Sequence, residues 1–332
     1  MPFLIFRWPV TQNTEQMTKL LTRKAFLHGT ALTALLPFLP PVSRARAAAI
    51  GVAEIAPGVF VHQGKYADVN LENGGDIANV SFIAGTDAVA VIDTGGSAKV
   101  GEAVHEAIAA VTKLPIRYVI NTHMHPDHVF GNAAFEAGKP EYIAHHKMAR
   151  GLSARADGYL SRNKGWMGDE NFAGTRVVMP TNPVTDALDI DLGGRVLHLK
   201  ARPTAHTDND MTVFDALTGT LILGDIAFAG RIPTIDGSIA GWIKLIDVLK
   251  SETAQRVVPG HGPPSMQMSE ALLPLERYLK AVATDVRAAI KAGRTLAETT
   301  ETAALSEKES WLLFGEHHKR NVTAAFAELE WE

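Results

Sequence analysis

Cysteine is absent from the 332 residues. That excludes a disulfide framework, a thiolate metal site and a cysteine nucleophile. The absence suits an oxidising compartment, where a free thiol is a liability, although cytoplasmic proteins also dispense with cysteine. Aromatic residues make up only 7%, too few to suggest a stacking platform for single-stranded nucleic acid. An excess of one charge is missing too. The net charge is -4 and the lysines and arginines are scattered, so no basic stripe tracks phosphates. What remains is ordinary for a globular chain, 46% apolar and 20% charged, with the length of one large domain or two small ones.

The amino end has its own order. Lys19, Arg23 and Lys24 precede an apolar segment from Ala25 to Leu39, and Ala45-Arg46-Ala47 follows as an A-x-A-type cleavage signal. That is the order of a secretory signal peptide. Pro37, Pro40 and Pro41 break the apolar run, which is too short for a stable membrane span. "TRKAFL" resembles the twin-arginine export signal, with Lys24 in place of the second arginine. Residues 1–47 are therefore expected to be a targeting segment of a periplasmic protein, with Met17 a candidate start.

After residue 48 strands and helices alternate. Strands are predicted at 58–64, 79–85 and 88–96, the last two joined as a hairpin by a Gly-Thr-Asp turn. Residues 97–114 have helical periodicity, with Val100, Val104, Ile108 and Val111 on one face, Ser97 as cap and Pro115 as stop. Further strands are predicted at 116–121, 141–145, 175–180, 195–201, 211–216, 219–228 and 255–262. Residues 241–251 are amphipathic, and the chain from Ser269 onward is helical. Residues 146–175 begin helical and turn into a loop punctuated by glycine and asparagine. This order predicts a mixed α/β (α+β) core of sheet on sheet covered by helices. A core over 48–265 and a helical extension over 266–332, packed on the core or serving a dimer contact, are expected.

Polar residues gather at the carboxyl ends of these strands. "VINTHMHPDHVFGN" places His123, His125, Asp127 and His128 after the strand at 116–121. His206 follows 195–201, Asp225 ends "GTLILGD", and His261 lies in "VVPGHG". Five of the 13 histidines are in this set. Loops on one edge of a sheet scaffold are where sites are built. Imidazole and carboxylate together suit zinc, iron or manganese. The two-residue spacing of His123 and His125 is wrong for one helical face but works on an extended strand exit. Pro126 then stiffens the turn, so that Asp127 and His128 point elsewhere and can serve a second ion. Asp93, Thr207, Asp208 and Asp210 are candidates to orient the imidazoles, with loop capping the alternative for Asp208 and Asp210. His62, His145, His146, His317 and His318 read as solvated turn residues, and His105 and His198 as surface or core-edge residues.

The spacing "HMHPDH" with His206, Asp225 and His261 resembles the metallo-β-lactamase-fold hydrolases, over about residues 55–265. The resemblance implies a four-layer αββα sandwich. It implies one zinc held by His123, His125 and His206, a second held by Asp127, His128 and His261, and Asp225 bridging them. A bridging hydroxide would then be the nucleophile at neutral pH, with Asp127 the catalytic residue that steers it and accepts its proton. The family's β-lactamases generally carry cysteine or serine where Asp225 stands; its thioesterases and lactonases carry aspartate, as do its iron sulfur dioxygenases. An ester, thioester or lactone is the expected small-molecule substrate, with lactam-type amide hydrolysis the alternative.

The wider text "GDIANVSFIAGTDAVAVIDTGGS", "HTDNDMTVFDALTGTLILGD", "DGSIAGWIKLIDVLK" and "VVPGHGP" is similar to the zinc metallohydrolases of the quinoprotein relay group. That likeness implies a periplasmic quinoprotein dehydrogenase as partner, and opens the rival reading of a non-catalytic metal or cofactor carrier. Tyr159, Arg162, Lys164 and Trp166, in the stretch 150–175, are read either as a lid over the metals or as a surface excursion.

Overall fold

The computed structural model describes residues 50–332; the targeting segment expected at 1–47 lies outside them. Alternation of apolar side chains decides how the strands stack. Strands β1 (Ala53–Ala56), β2 (Val59–His62), β3 (Val80–Ala84) and β4 (Val89–Ile92) lead into helix α1 (Ala98–Val111) and strand β5 (Ile116–Asn121). A one-turn helix α2 (Pro126–Val129) and a 3-10 segment (Phe130–Gly138) precede β6 (Glu141–His145), helix α3 (Met148–Phe172) and β7 (Asn182–Val184). The second half holds β8 (Ala187–Asp191), β9 (Val196–Ala201), β10 (Met211–Asp215), β11 (Thr220–Phe228), helix α4 (Ile239–Leu249) and β12 (Arg256–His261). Helices α5 (Met268–Lys291), α6 (Leu296–Thr300) and α7 (Phe314–Leu329) complete it.

The first sheet runs in the order β1-β2-β3-β4-β5-β6-β7 and the second β12-β11-β10-β9-β8. Each mixes antiparallel hairpins with parallel pairs: β4, β5, β6 and β7 pair in parallel, as do β11 and β12. Along β4, Ala90 and Ile92 face the other sheet, whereas Val89 and Val91 face α1. In β11, Ile222 joins the core between the sheets, while Leu221 and Leu223 face α4 and α5. Both faces of the central strands are thus covered, the αββα arrangement that the family resemblance implied. Fully burying such side chains contributes about 1.5–3 kcal/mol each. One apolar cluster joins Leu223, Trp242 of α4, Leu272 and Leu275 of α5, and Val322 and Ala325 of α7. Glu328 of α7 also caps α4, accepting from the Ile239 and Ala240 N–H groups at 2.7 and 3.2 Å.

Several expectations are corrected. The strand predicted at 175–180 lies instead at Asn182–Val184, and β1 and β8 were not predicted. Val111 is 42% exposed, off the buried face of α1. Residues 148–172 are helical and not a loop, in two helical pieces joined across a kink at Gly168, where φ is +75°. The stripe Met148, Leu152, Tyr159, Asn163 and Met167 is buried, and this outweighs the helix-weakening glycines at 151, 158 and 165. His62, His145 and His318 are buried, not solvated. Among the described residues, no helix is long and apolar enough to cross a membrane.

Candidate metal centre

The segments after β5 and β9, the end of β12 and the interior of β11 bring all seven of His123, His125, Asp127, His128, His206, Asp225 and His261 together. They form two groups whose donor atoms lie within 4.8 Å of one another: His123, His125, His206 and Asp225, and Asp127, His128 and His261. Pro126 opens α2 as its first residue, where it lacks a needed N–H donor least. That turn separates Asp127 and His128 from the two preceding histidines. Asp225 is not at a strand end, because β11 continues to Phe228 past register shifts on both sides of Gly224.

Asp225 stands between the groups. Its Oδ1 is 3.1 Å from His128 Nε2, and its Oδ2 is 3.4 Å from both His206 Nε2 and His261 Nε2 and 3.7 Å from His123 Nε2. Gly260 leaves the room for this carboxylate: a Cβ there would fall 1.9 Å from Asp225 Oδ1. His261 Nε2 is also 3.2 Å from Asp127 Oδ2.

The outer nitrogens are committed. His128 Nδ1 donates to Asp93 Oδ2 at 2.8 Å, and the Thr122 hydroxyl donates to the same oxygen at 2.7 Å. That hydroxyl therefore accepts from His123 Nδ1 at 3.0 Å. Asp93 holds φ +58°, a left-handed conformation that aspartate visits more readily than most residues. His206 Nδ1 donates to the Thr234 carbonyl at 2.7 Å and His261 Nδ1 to the Ile77 carbonyl at 2.8 Å. His125 is turned the other way, with Nε2 on Asp236 Oδ2 at 3.0 Å. Asp236 also accepts from Arg155 of α3 at 3.1 Å.

Carbonyls and carboxylates only accept, so these outer nitrogens carry the protons and the inward ones carry lone pairs. Two of those lone pairs, on His206 Nε2 and His125 Nδ1, face each other at 3.0 Å. The inward His123 Nε2, His128 Nε2 and Asp225 Oδ1 are buried with no hydrogen-bond partner. Buried acceptors turned toward one another are costly unless a cation lies among them. Five imidazoles and two carboxylates, with their other faces fixed, fit metal ions well.

The electrostatics divide the rings into two pairs. Burial pushes His206 down to about 3, and burial with neighbouring His128 holds His123 well below the usual histidine value, which favours neutral rings able to ligate. Burial opposes ionisation of Asp225, but His261, His128 and His123 together hold its carboxyl well below the usual range. Burial lowers His128 and His261 too, yet the Asp225 charge and neighbouring carboxylates raise both on balance: the carboxylates draw positive charge to this side of the cluster, a proton on the rings or a cation in its place.

A cleft of about 540 Å³ opens above the cluster. Tyr159, Arg162 and Trp166 of α3 line it; Lys164 does not, and pairs with Asp169 at 3.0 Å. Of the residues named as orienting candidates, Asp93 reaches a ring directly. Asp210 instead accepts from the Thr207 N–H and hydroxyl, a loop-capping role, and Asp208 pairs with exposed Arg150. Thr122, Asp236, Arg231 and the cleft-lining His317 were not singled out from sequence. Asp236 follows no strand and lies 111 positions from His125 along the chain.

The family model for the Metallo-beta-lactamase superfamily matches residues 73–283. This chain belongs to that superfamily, a family of hydrolases. A curated relative, the Beta-lactamase-like protein 2 homolog of Caenorhabditis elegans, is 26% identical over 187 residues, 55% of each chain. The chain thus spans about half the length of that relative. Solved structures share the fold. A metallo-beta-lactamase from Pontibacter korlensis is 19% identical with TM-score 0.57, covering 69% of this chain and 98% of that one. A double mutant of the sec-alkyl sulfatase PisA1 is 17% identical with TM-score 0.66, covering 85% of this chain and 51% of that one.

Proposed function

We propose that this chain is an exported, dinuclear, zinc-dependent hydrolase acting on an ester, thioester or lactone. The observation that carries the reading is the Asp225 carboxylate, set between two ligand groups and within 3.4 Å of His128, His206 and His261. In this reading His123, His125 and His206 hold one ion, Asp127, His128 and His261 hold the other, and Asp225 serves both. The donor set suits zinc, with iron and manganese the other candidates. Bound there, the ions supply a water nucleophile at neutral pH and polarise the carbonyl under attack.

The chain's own residues do the rest. Asp127 lines the cleft, so it steers the nucleophile and accepts its proton. Asp93 and Asp236 fix ring orientation, and the cleft walls hold the substrate. Aspartate at 225, where the family's β-lactamases generally carry cysteine or serine, favours esters, thioesters and lactones. Lactam-type amide hydrolysis is the second reading, supported by the name of the curated relative. The basic, apolar and Ala-Arg-Ala order of the amino end supports export to the periplasm. The quinoprotein-relay likeness supports work beside a quinoprotein dehydrogenase.

Metal analysis of zinc-supplemented protein is expected to give two ions per chain, with turnover on some member of an ester, thioester, lactone and lactam panel. One ion or none overturns the dinuclear reading, and two ions without turnover favours a metal-handling accessory. Secreted material is expected to begin beyond Ala47; a mature chain that keeps Arg23 overturns export.

A further inference from the structure

Resting on the hydrolase reading, we infer that the substrate carries a carboxylate or like anion, recognised by Arg162, Arg231 and Arg320 in the wall of the cleft. These three come from separate elements: α3, the segment after β11, and α7. The wall is short of negative charge. Apart from Asp127 and Asp225 of the cluster, its one carboxylate is Asp68. Asp68 is divided between Arg231 Nη2 at 3.0 Å and His317 Nε2 at 2.8 Å.

Each arginine has donors to spare. Arg231 is 6% exposed, and its Nε is buried with no hydrogen-bond partner. Its Nη1 lies 3.4 Å from His261 Nδ1, a nitrogen that already donates to the Ile77 carbonyl and so cannot accept from it, which leaves the guanidinium short of acceptors. The Arg162 guanidinium lies over the rings of Tyr159 and Trp166, 5.4 and 5.5 Å from their centroids. Stacking holds the group by its face and leaves its in-plane N–H groups free to grip a planar anion. The carboxylate nearest to Arg320 is Asp236 at 3.9 Å, and Asp236 already accepts from His125 and Arg155. Forked donors of this kind match carboxylate, sulfonate or phosphate oxygens in pairs. Between them Val69, Phe228 and Trp166 offer apolar surface for a short carbon skeleton. The cleft therefore suits a small ester, thioester or lactone with an acidic group at one end.

The test uses zinc-supplemented full chain and two matched esters, p-nitrophenyl butyrate and the mono-p-nitrophenyl ester of glutaric acid. The wild type is expected to prefer the anionic ester in kcat/KM. R162Q and R320Q are each expected to lower the anionic-to-neutral ratio by about tenfold, the size of a charge-assisted hydrogen bond. R287Q, a charge change on α5 outside the cleft, is the control for bulk charge. A second readout is independent of turnover: tryptophan fluorescence titration with glutarate and with glutaramide. The R162Q/R320Q double variant is expected to bind glutarate at least about tenfold more weakly, with glutaramide unaffected. An unchanged ester ratio, or glutarate affinity that ignores both arginines, overturns the inference. If neither ester turns over but glutarate binding still needs the arginines, the anion site stands and the ester reading falls.

Discussion

Two carboxylates, one buried and one half-buried, hold the cluster's imidazoles from behind, and they do so in different ways. Asp93 is wholly enclosed. It grips His128 directly and His123 through the Thr122 hydroxyl, so one side chain supports both ligand groups. Asp236 is more open, its side chain 20% exposed, and among the cluster rings it reaches only His125. It is also split between that ring and Arg155. Support shared by the two ligand groups thus comes from the first sheet, where β4 and β5 pair side by side and lead into Asp93 and Thr122. The rim residue His125 is tied instead to α3, which also lines the cleft.

The comparison can be broken most forcefully at the carboxylate between the groups. D225A is expected to lower turnover by about a thousandfold or more, the several kcal/mol that metal activation supplies, with loss of bound metal in the same preparation. Retained activity would remove the reason for regarding the two groups as one centre. Next come the supports. D93N is expected to weaken both metal equivalents by about 10- to 100-fold, whereas D236N weakens only one, at the lower end of that range. Competitive chelator titration reads both, and equal effects from the two variants would erase the asymmetry.

The smallest effect concerns a histidine on the same sheet edge that serves no cluster. His145 ends β6, buried and stacked on His146 with ring centroids 4.4 Å apart. Burial, aided by the charges of His146 and Lys147, pushes it down to about 4. The folded state therefore disfavours its protonation. Its contribution to stability is full above the ordinary histidine value near 6.5 and is lost as pH falls from there toward 4. H145Q is expected to flatten that part of the Tm-against-pH curve. A slope identical to wild type would show that His145 does not differ from a solvated ring.

The contrast also explains what could be read along the chain. Strands β2 to β6 and β9 to β12 show the period of two or the apolar runs of strands covered on both faces, and α1 shows the 3.6 period with Ser97 as cap. The cluster is legible because three histidines and an aspartate crowd into positions 123–128 and His206 and His261 follow or end later strands; Asp225 joins them from inside β11. Helix α3 was misread because Gly158, Gly165 and Gly168 punctuate it, and only tertiary burial of its Met148–Met167 stripe decides the matter. Asp236, Arg231 and His317 carried no local signal. Their roles arise where distant segments meet: Asp68 and His317 are 249 positions apart.

Helix α7 gives this layout a consequence for variation. All seven cluster residues fall inside the stretch matched by the superfamily model, 73–283, whereas His317 and Arg320 fall beyond it. The cleft is thus walled in part by residues outside the stretch that holds the cluster. Substitutions at His317 or Arg320 would alter the cleft wall and leave all seven cluster side chains in place, while Glu328 anchors the same helix to α4.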